Sequence, residues 1–176
     1  MRLLASAVLF TVLACVVEAG EHKYALNAEN TKIVWTGVKP GGKHEGGFKK
    51  IAGAAVLAEG AGLKINVDID CESLYSDNEK LTGHLKSVDF FAVKEHPTAK
   101  FVSTKIEKAD KGFVVTGDLT LLGKTKQVSF PATIATGESL VLNASLTINR
   151  NDFGMSFGKG KISDDVALQI SVNAKK

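Results

Sequence analysis

The stretch Leu63-Lys64-Ile65-Asn66-Val67-Asp68-Ile69-Asp70 decides the fold. Leu63, Ile65, Val67 and Ile69 fall on every second position, with Lys64, Asn66, Asp68 and Asp70 between them. A strand sends successive side chains to opposite faces, so this stretch is a strand with one dry face and one wet face. The same period recurs at Leu140, Leu142, Ala144, Leu146 and Ile148, and again at Val166, Leu168, Ile170 and Val172. Further strands are expected at 31–39, 46–58, 99–108, 112–121 and 125–134. Turn clusters such as Pro40-Gly41-Gly42-Lys43, Glu59-Gly60-Ala61-Gly62 and Asp110-Lys111-Gly112 separate them. One segment breaks the pattern. Residues 76–85 begin with the cap-type Ser76-Asp77-Asn78, and Leu81 and Leu85 stand at helical spacing, which predicts a short helix. The chain therefore reads as all-β, with about eight antiparallel strands and one short helix. Eight such strands close into a barrel wide enough for one small ligand. A two-sheet sandwich satisfies the same pattern.

Composition narrows the function. The 176 residues are 44% hydrophobic and 23% charged, which is enough for a core and excludes a disordered chain. The 22 Lys and Arg against 19 Asp and Glu leave a net charge of +3, spread without a basic run, so a nucleic-acid binder is not expected. Cys15 and Cys71 are too few for a disulfide framework or a four-thiolate zinc site, and Cys71 reads as a small buried hydrophobe. Residues 1–19 read as a signal peptide: Arg2 supplies the positive start, 3–17 the apolar run, and Ala19 a small residue before the cleavage point. The mature domain is then 20–176, periplasmic or secreted. A competing lipobox reading of 12–15 would lipidate Cys15 and anchor the chain. A membrane-spanning barrel is not expected, because one Trp and two Tyr cannot form aromatic girdles and the wet strand faces are charged.

Catalytic signals are weak. His22, His44, His84 and His96 lack metal-ligand spacing, and no nucleophile motif or phosphate loop is present. No catalytic residue, metal or cofactor is expected. A hydrolase or isomerase using His44 or His84 with a carboxylate would require such a pair to meet in a cleft. The stronger signal is apolar. Trp35, Phe48, Leu85, Phe90, Phe91, Phe101, Leu119, Leu121, Phe153, Met155 and Phe157 surround the helix and the middle strands, and would line a cavity or fill a core. Arg150, the one arginine after residue 2, would either hold a ligand's polar head or pair with Asp152, Asp164 or Asp165 to fix a loop.

Four ordered motifs carry a resemblance. Leu85-Lys86-Ser87-Val88-Asp89-Phe90-Phe91 with His96-Pro97-Thr98-Ala99-Lys100-Phe101 resembles the signature of the YceI-like family of lipid- and polyisoprenoid-binding proteins. Gly117-Asp118-Leu119-Thr120-Leu121-Leu122-Gly123-Lys124 resembles its second motif, Asn149-Arg150-Asn151-Asp152-Phe153-Gly154 its third, and Asp164-Asp165-Val166 its fourth. The resemblance covers residues 24–174. It implies a lipocalin-like eight-stranded antiparallel barrel in the bacterial envelope, holding a long isoprenoid chain such as a quinone tail in an internal apolar channel. The expected partner is thus a long-chain isoprenoid or other amphiphilic lipid, and a homodimer is among the assemblies allowed. A forty-carbon tail at about −0.3 kcal/mol per heavy atom would bind with roughly −12 kcal/mol, a nanomolar scale. A filled barrel acting as a stress-response or interaction protein without a ligand is the alternative.

Overall fold

The computed structural model describes residues 20–176, so the expected signal peptide and Cys15 lie outside the described residues. The strands are β1 Glu21–Asn27, β2 Thr31–Lys39, β3 Gly42–Phe48, β4 Ile51–Ala58, β5 Gly62–Asp70, β6 Leu74–Ser76, β7 Thr98–Ala109, β8 Gly112–Leu121, β9 Lys124–Ala135, β10 Ser139–Asn149 and β11 Asp165–Lys175. The helix, α1, is Glu79–Lys86.

All strands join one antiparallel sheet in the order β1-β4-β5-β7-β8-β9-β10-β11-β2-β3-β6. The count is eleven and not the expected eight, and no ladder joins β1 to β6 among the described residues, so the sheet is a curled half-barrel. Both edges are protected in other ways. The β1 edge is tied across to the far side of the sheet by the Tyr24 hydroxyl, which donates to the Gly137 carbonyl at 2.9 Å. The β6 edge has three residues and runs on toward α1.

The strand expected over 46–58 is two strands. At Lys49-Lys50 the chain leaves the β2–β3–β6 end of the sheet for the β1–β4–β5 end. The Ser73 hydroxyl accepts from both Lys49 and Lys50 amides at 3.1 and 2.9 Å, holding the crossing point.

Alternation behaves as the sequence predicts. On β5, Ile65, Val67 and Ile69 are buried while Lys64 and Asn66 face solvent. On β8, Val115, Leu119 and Leu121 are buried, and Gly117 leaves room for the Phe101 ring, which packs against Phe130 with centroids 5.8 Å apart. Strand β7 changes parity at Thr104, where a bulge shifts the register between Ser103 and Lys105. That shift lets Phe101 and Ile106, five positions apart, both pack on the core. No helix among the described residues is long and apolar enough to cross a membrane.

Candidate functional site: an apolar cavity in two chambers

Inward side chains do not fill the half-barrel evenly. At one end Tyr24, Leu140, Val115 and Ala174 are completely enclosed. At the other end Leu146, Ile148, Val166, Leu168 and Ile170 hold inward register yet stay partly accessible. The accessibility is to a cavity inside the sheet. The outer chamber has a volume of about 300 Å³, at the lower end of the range of small-molecule sites. An inner chamber of about 90 Å³ lies beyond it. Ile33, Ile69, Leu119 and Leu168 line both, so these four side chains form the neck between them.

Of the residues expected at the site, Trp35, Phe48, Leu85, Phe90, Phe91, Leu119, Leu121, Arg150, Met155 and Phe157 do line the outer chamber. Phe101 lines the inner chamber instead, because the β7 register turns it over Gly117. Phe153 lines neither; it is 2% exposed, within the packed core. The structure adds Ile33, Gly37, Leu81, Ile148, Val166 and Leu168 to the outer wall. Alternation already placed most of these on dry faces; what alternation lacks is how far along each strand the packing stops.

The helix forms one side of the mouth. The Asn78 side chain caps it, accepting from the Leu81 amide at 3.0 Å. Leu81, His84 and Leu85 then face the outer chamber. The helix ends in a tight run in which the Phe91 and Val93 amides donate back to the Leu85 and Lys86 carbonyls. This run delivers Phe90 and Phe91 to the wall. Phe48 packs edge-on against Phe91, with centroids 6.1 Å apart. His84 is clasped edge-on by Phe90 and Phe157 at 5.1 and 4.7 Å.

Arg150 is 3% exposed, and its guanidinium serves the loop that closes the other side. Nε donates to the Ser163 carbonyl at 3.0 Å. Nη1 donates to the Phe157 carbonyl at 2.8 Å and to the Met155 carbonyl, and Nη2 donates to Asp164 Oδ1 at 3.0 Å. The pairing with Asp164 is the structural alternative. Four of its five N–H groups are committed to the loop. Met155 and Phe157 reach the chamber on the loop that Arg150 organises.

Two histidine–carboxylate pairs stand at the same chamber. His44 Nδ1 is 2.9 Å from Asp77 Oδ1, and His84 Nε2 is 2.8 Å from Asp89 Oδ2. Both histidines line the outer chamber. Neither ring bonds a Ser, Thr or Cys side chain among the described residues. Cys71 is buried in the core away from both chambers, and burial pushes its thiol up to about 11.

A curled antiparallel sheet around an apolar cavity, with a capped helix at the mouth, defines a small-ligand-binding half-barrel. The YceI-like domain profile matches residues 24–174, and the chain belongs to that family. A UPF0312 protein of Pseudomonas putida is 44% identical over 121 residues, covering 64% of this chain and 62% of the relative's own length. The crystal structure of Burkholderia cenocepacia BcnA superposes with a TM-score of 0.75 at 25% identity, covering 82% of this chain and 96% of that one. A polyisoprenoid-binding domain from Saccharophagus degradans, implicated in plant cell wall breakdown, shares the fold with a TM-score of 0.65 at 12% identity, covering 87% and 97%.

Proposed function

We propose that this chain is an exported binding protein that holds a polyisoprenoid, such as an isoprenoid quinone, or another long-chain lipid in the two-chamber cavity. The observation that carries the reading is the cavity itself: nearly continuous aliphatic and aromatic walls, open at one end beside α1 and leading past a neck into a second apolar space. Burial of a tail there supplies affinity at about 25 cal/mol per Å² of apolar surface, and no polar network is required. Membership of the YceI-like family and the polyisoprenoid-binding description of the Saccharophagus domain support the reading. The open space between inward side chains weighs against a filled barrel acting only through its surface. In this reading no metal or further cofactor takes part, and residues 1–19 direct the chain to the periplasm or beyond, where a homodimer is compatible with a free mouth.

Acid–base catalysis is a second reading, favoured by the two histidine–carboxylate pairs at the mouth. A general base needs a reacting group within reach. Here His84 has its Nε2 on Asp89 and its ring held between two phenylalanines, an arrangement that shapes a wall. Mass spectrometry of protein purified gently from its own source tests the proposal. A stoichiometric isoprenoid or other long-chain lipid is expected. Correctly folded protein that carries none, and takes up none from added lipid, would refute it.

A further inference from the structure

Exposed apolar side chains gather at the mouth of the cavity. Among the described residues four large hydrophobic side chains are exposed: Val38, Val88, Val141 and Phe157. Val141 lies alone on the outer face of β10. The other three stand around the opening. Val38 and Phe157 line the outer chamber and are still 52% and 46% exposed. Val88, 76% exposed, comes just after α1 and just before Asp89 and Phe90, which reach His84 and Phe157. Covering such side chains is favourable, and a cluster of them beside a cavity marks a contact surface.

The lip that carries Val38 and Phe157 is basic. It consists of two segments, 38–43 and 154–163, joined where the Ser163 amide donates to the Val38 carbonyl at 2.9 Å. Together they hold Lys39, Lys43, Lys159 and Lys161 and no carboxylate. Lys43 is paired with Glu45, whereas Lys39, Lys159 and Lys161 are exposed and form no salt bridge among the described residues. Asp77, Asp89 and Asp164 are engaged by His44, His84 and Arg150. Asp165, just past the second segment, offsets one of the three free cations. The far end of the half-barrel differs. Its β7–β8 turn has Lys108 and Lys111 around Asp110, and no exposed large hydrophobic side chain.

We propose that the mouth is a docking face for an anionic lipid bilayer. Val38, Val88 and Phe157 enter the interface, while Lys39, Lys159 and Lys161 hold headgroup phosphates. This rests on the lipid-binding reading and names where the ligand comes from: a tail passes between the acyl layer and the outer chamber along the lip. Cations flanking apolar side chains match a bilayer surface, which is charged outside and apolar just beneath. The apolar chamber opens at the same lip, so a docked mouth joins two apolar phases. A tail then crosses without exposing its methylenes to water.

Flotation with isoprenoid-free vesicles tests this, so that docking and cargo are read separately. The mature protein, residues 20–176, is mixed with vesicles of phosphatidylcholine alone, or of equal parts phosphatidylcholine and phosphatidylglycerol. It is expected to float with the anionic vesicles at about 0.1 M salt and far less at about 1 M, where the screening length falls from about 10 Å to about 3 Å. Lys159→Glu/Lys161→Glu should lose about thirtyfold or more in affinity for these vesicles, and Val88→Ser several-fold. None of these three residues lines either chamber, so uptake of hexahydrofarnesylacetone, an isoprenoid ketone, should be unchanged in both variants. Lys108→Glu/Lys111→Glu makes the same change of net charge at the far end and should bind the vesicles within about twofold of the parent. If the two double variants lose affinity equally, the attraction is not to the mouth and the inference is overturned. Parent protein that takes up the ketone but does not float with anionic vesicles also overturns it, leaving a protein partner to cover the lip and the lipid-binding reading standing. Protein that floats as expected and takes up no ketone keeps the docking face and refutes the cargo.

Discussion

Arg150 shows how one side chain can fix the shape of a cavity wall. It draws the carbonyls of Met155, Phe157 and Ser163 and the carboxylate of Asp164 onto one buried cation. Arg150→Ala would leave that carboxylate and those carbonyls without their donor. It is expected to lower stability by about 3–5 kcal/mol, read from urea unfolding, with Arg150→Lys recovering only part because an ammonium cannot reproduce the fork. An alanine variant within about 0.5 kcal/mol of the parent would remove Arg150 from this role. Asp164 was among the three partners legible in the sequence; the carbonyl cradle was not, because it exists only once the loop has folded back. Cys71 makes a second prediction at this scale. Its folded thiol titrates near 11 against an ordinary value of 9.0, because burial disfavours the thiolate. Between those values the unfolded chain releases the proton and the folded chain keeps it. Stability is therefore fully present below about pH 9 and falls as pH rises toward 11. Cys71→Ser should flatten that fall in melts taken across this range, and native protein at pH 8 should react with a thiol reagent only as fast as it opens.

Long alternating strands are the elements most readily read from sequence, since burial on one face imposes a period that the residues must obey. β5, β10 and β11 appear where Leu63–Asp70, Leu140–Asn149 and Val166–Asn173 place them, within a residue or two. The elements that were not legible lack that signal. β1 has only Tyr24 and Leu26 on the core, and β6 has three residues. β3 begins within the turn cluster Pro40-Gly41-Gly42-Lys43, and its end reads as the start of a strand continuous with β4; Gly46 and Gly47 are there because Trp35, Tyr75 and neighbouring backbone approach too closely for any Cβ. The helix was legible from its cap and leucine spacing, and its cap offers a test. Asn78→Ala removes the acceptor of the Leu81 amide and should cost about 1 kcal/mol of stability. Since α1 carries Leu81, His84 and Leu85 to the chamber, affinity for an isoprenoid ketone such as hexahydrofarnesylacetone should fall several-fold in the same variant. An unchanged affinity alongside the stability loss would show that the helix does not shape the bound state.

The whole molecule is graded, closely packed around Tyr24, Leu140 and Ala174 and open toward α1, and that gradient makes a container of the half-barrel. Composition could not separate a cavity from a filled core, because both use the same inward residues; the difference lies in the curl of an eleven-stranded sheet whose ladder does not close among the described residues. A container in two chambers has a consequence for ligand length. A short isoprenoid needs only the outer space, whereas a longer one must thread Ile33, Ile69, Leu119 and Leu168 to reach the inner one. Leu119→Phe enlarges one of these four side chains and narrows the neck. Overpacking of this kind costs about 1–3 kcal/mol where the neighbours cannot yield, so a melt must first show that the variant stays folded. In the folded variant, binding of a ten-carbon isoprenoid ketone should be unchanged within about twofold. Binding of the longer hexahydrofarnesylacetone should weaken about tenfold or more, because a tail expelled from the inner chamber loses its burial at roughly 0.8 kcal/mol per methylene. Leu119→Ala widens the same passage and should not discriminate against the longer probe. If Leu119→Phe weakens both ketones equally, the tail does not pass the neck, and the outer chamber alone is the site.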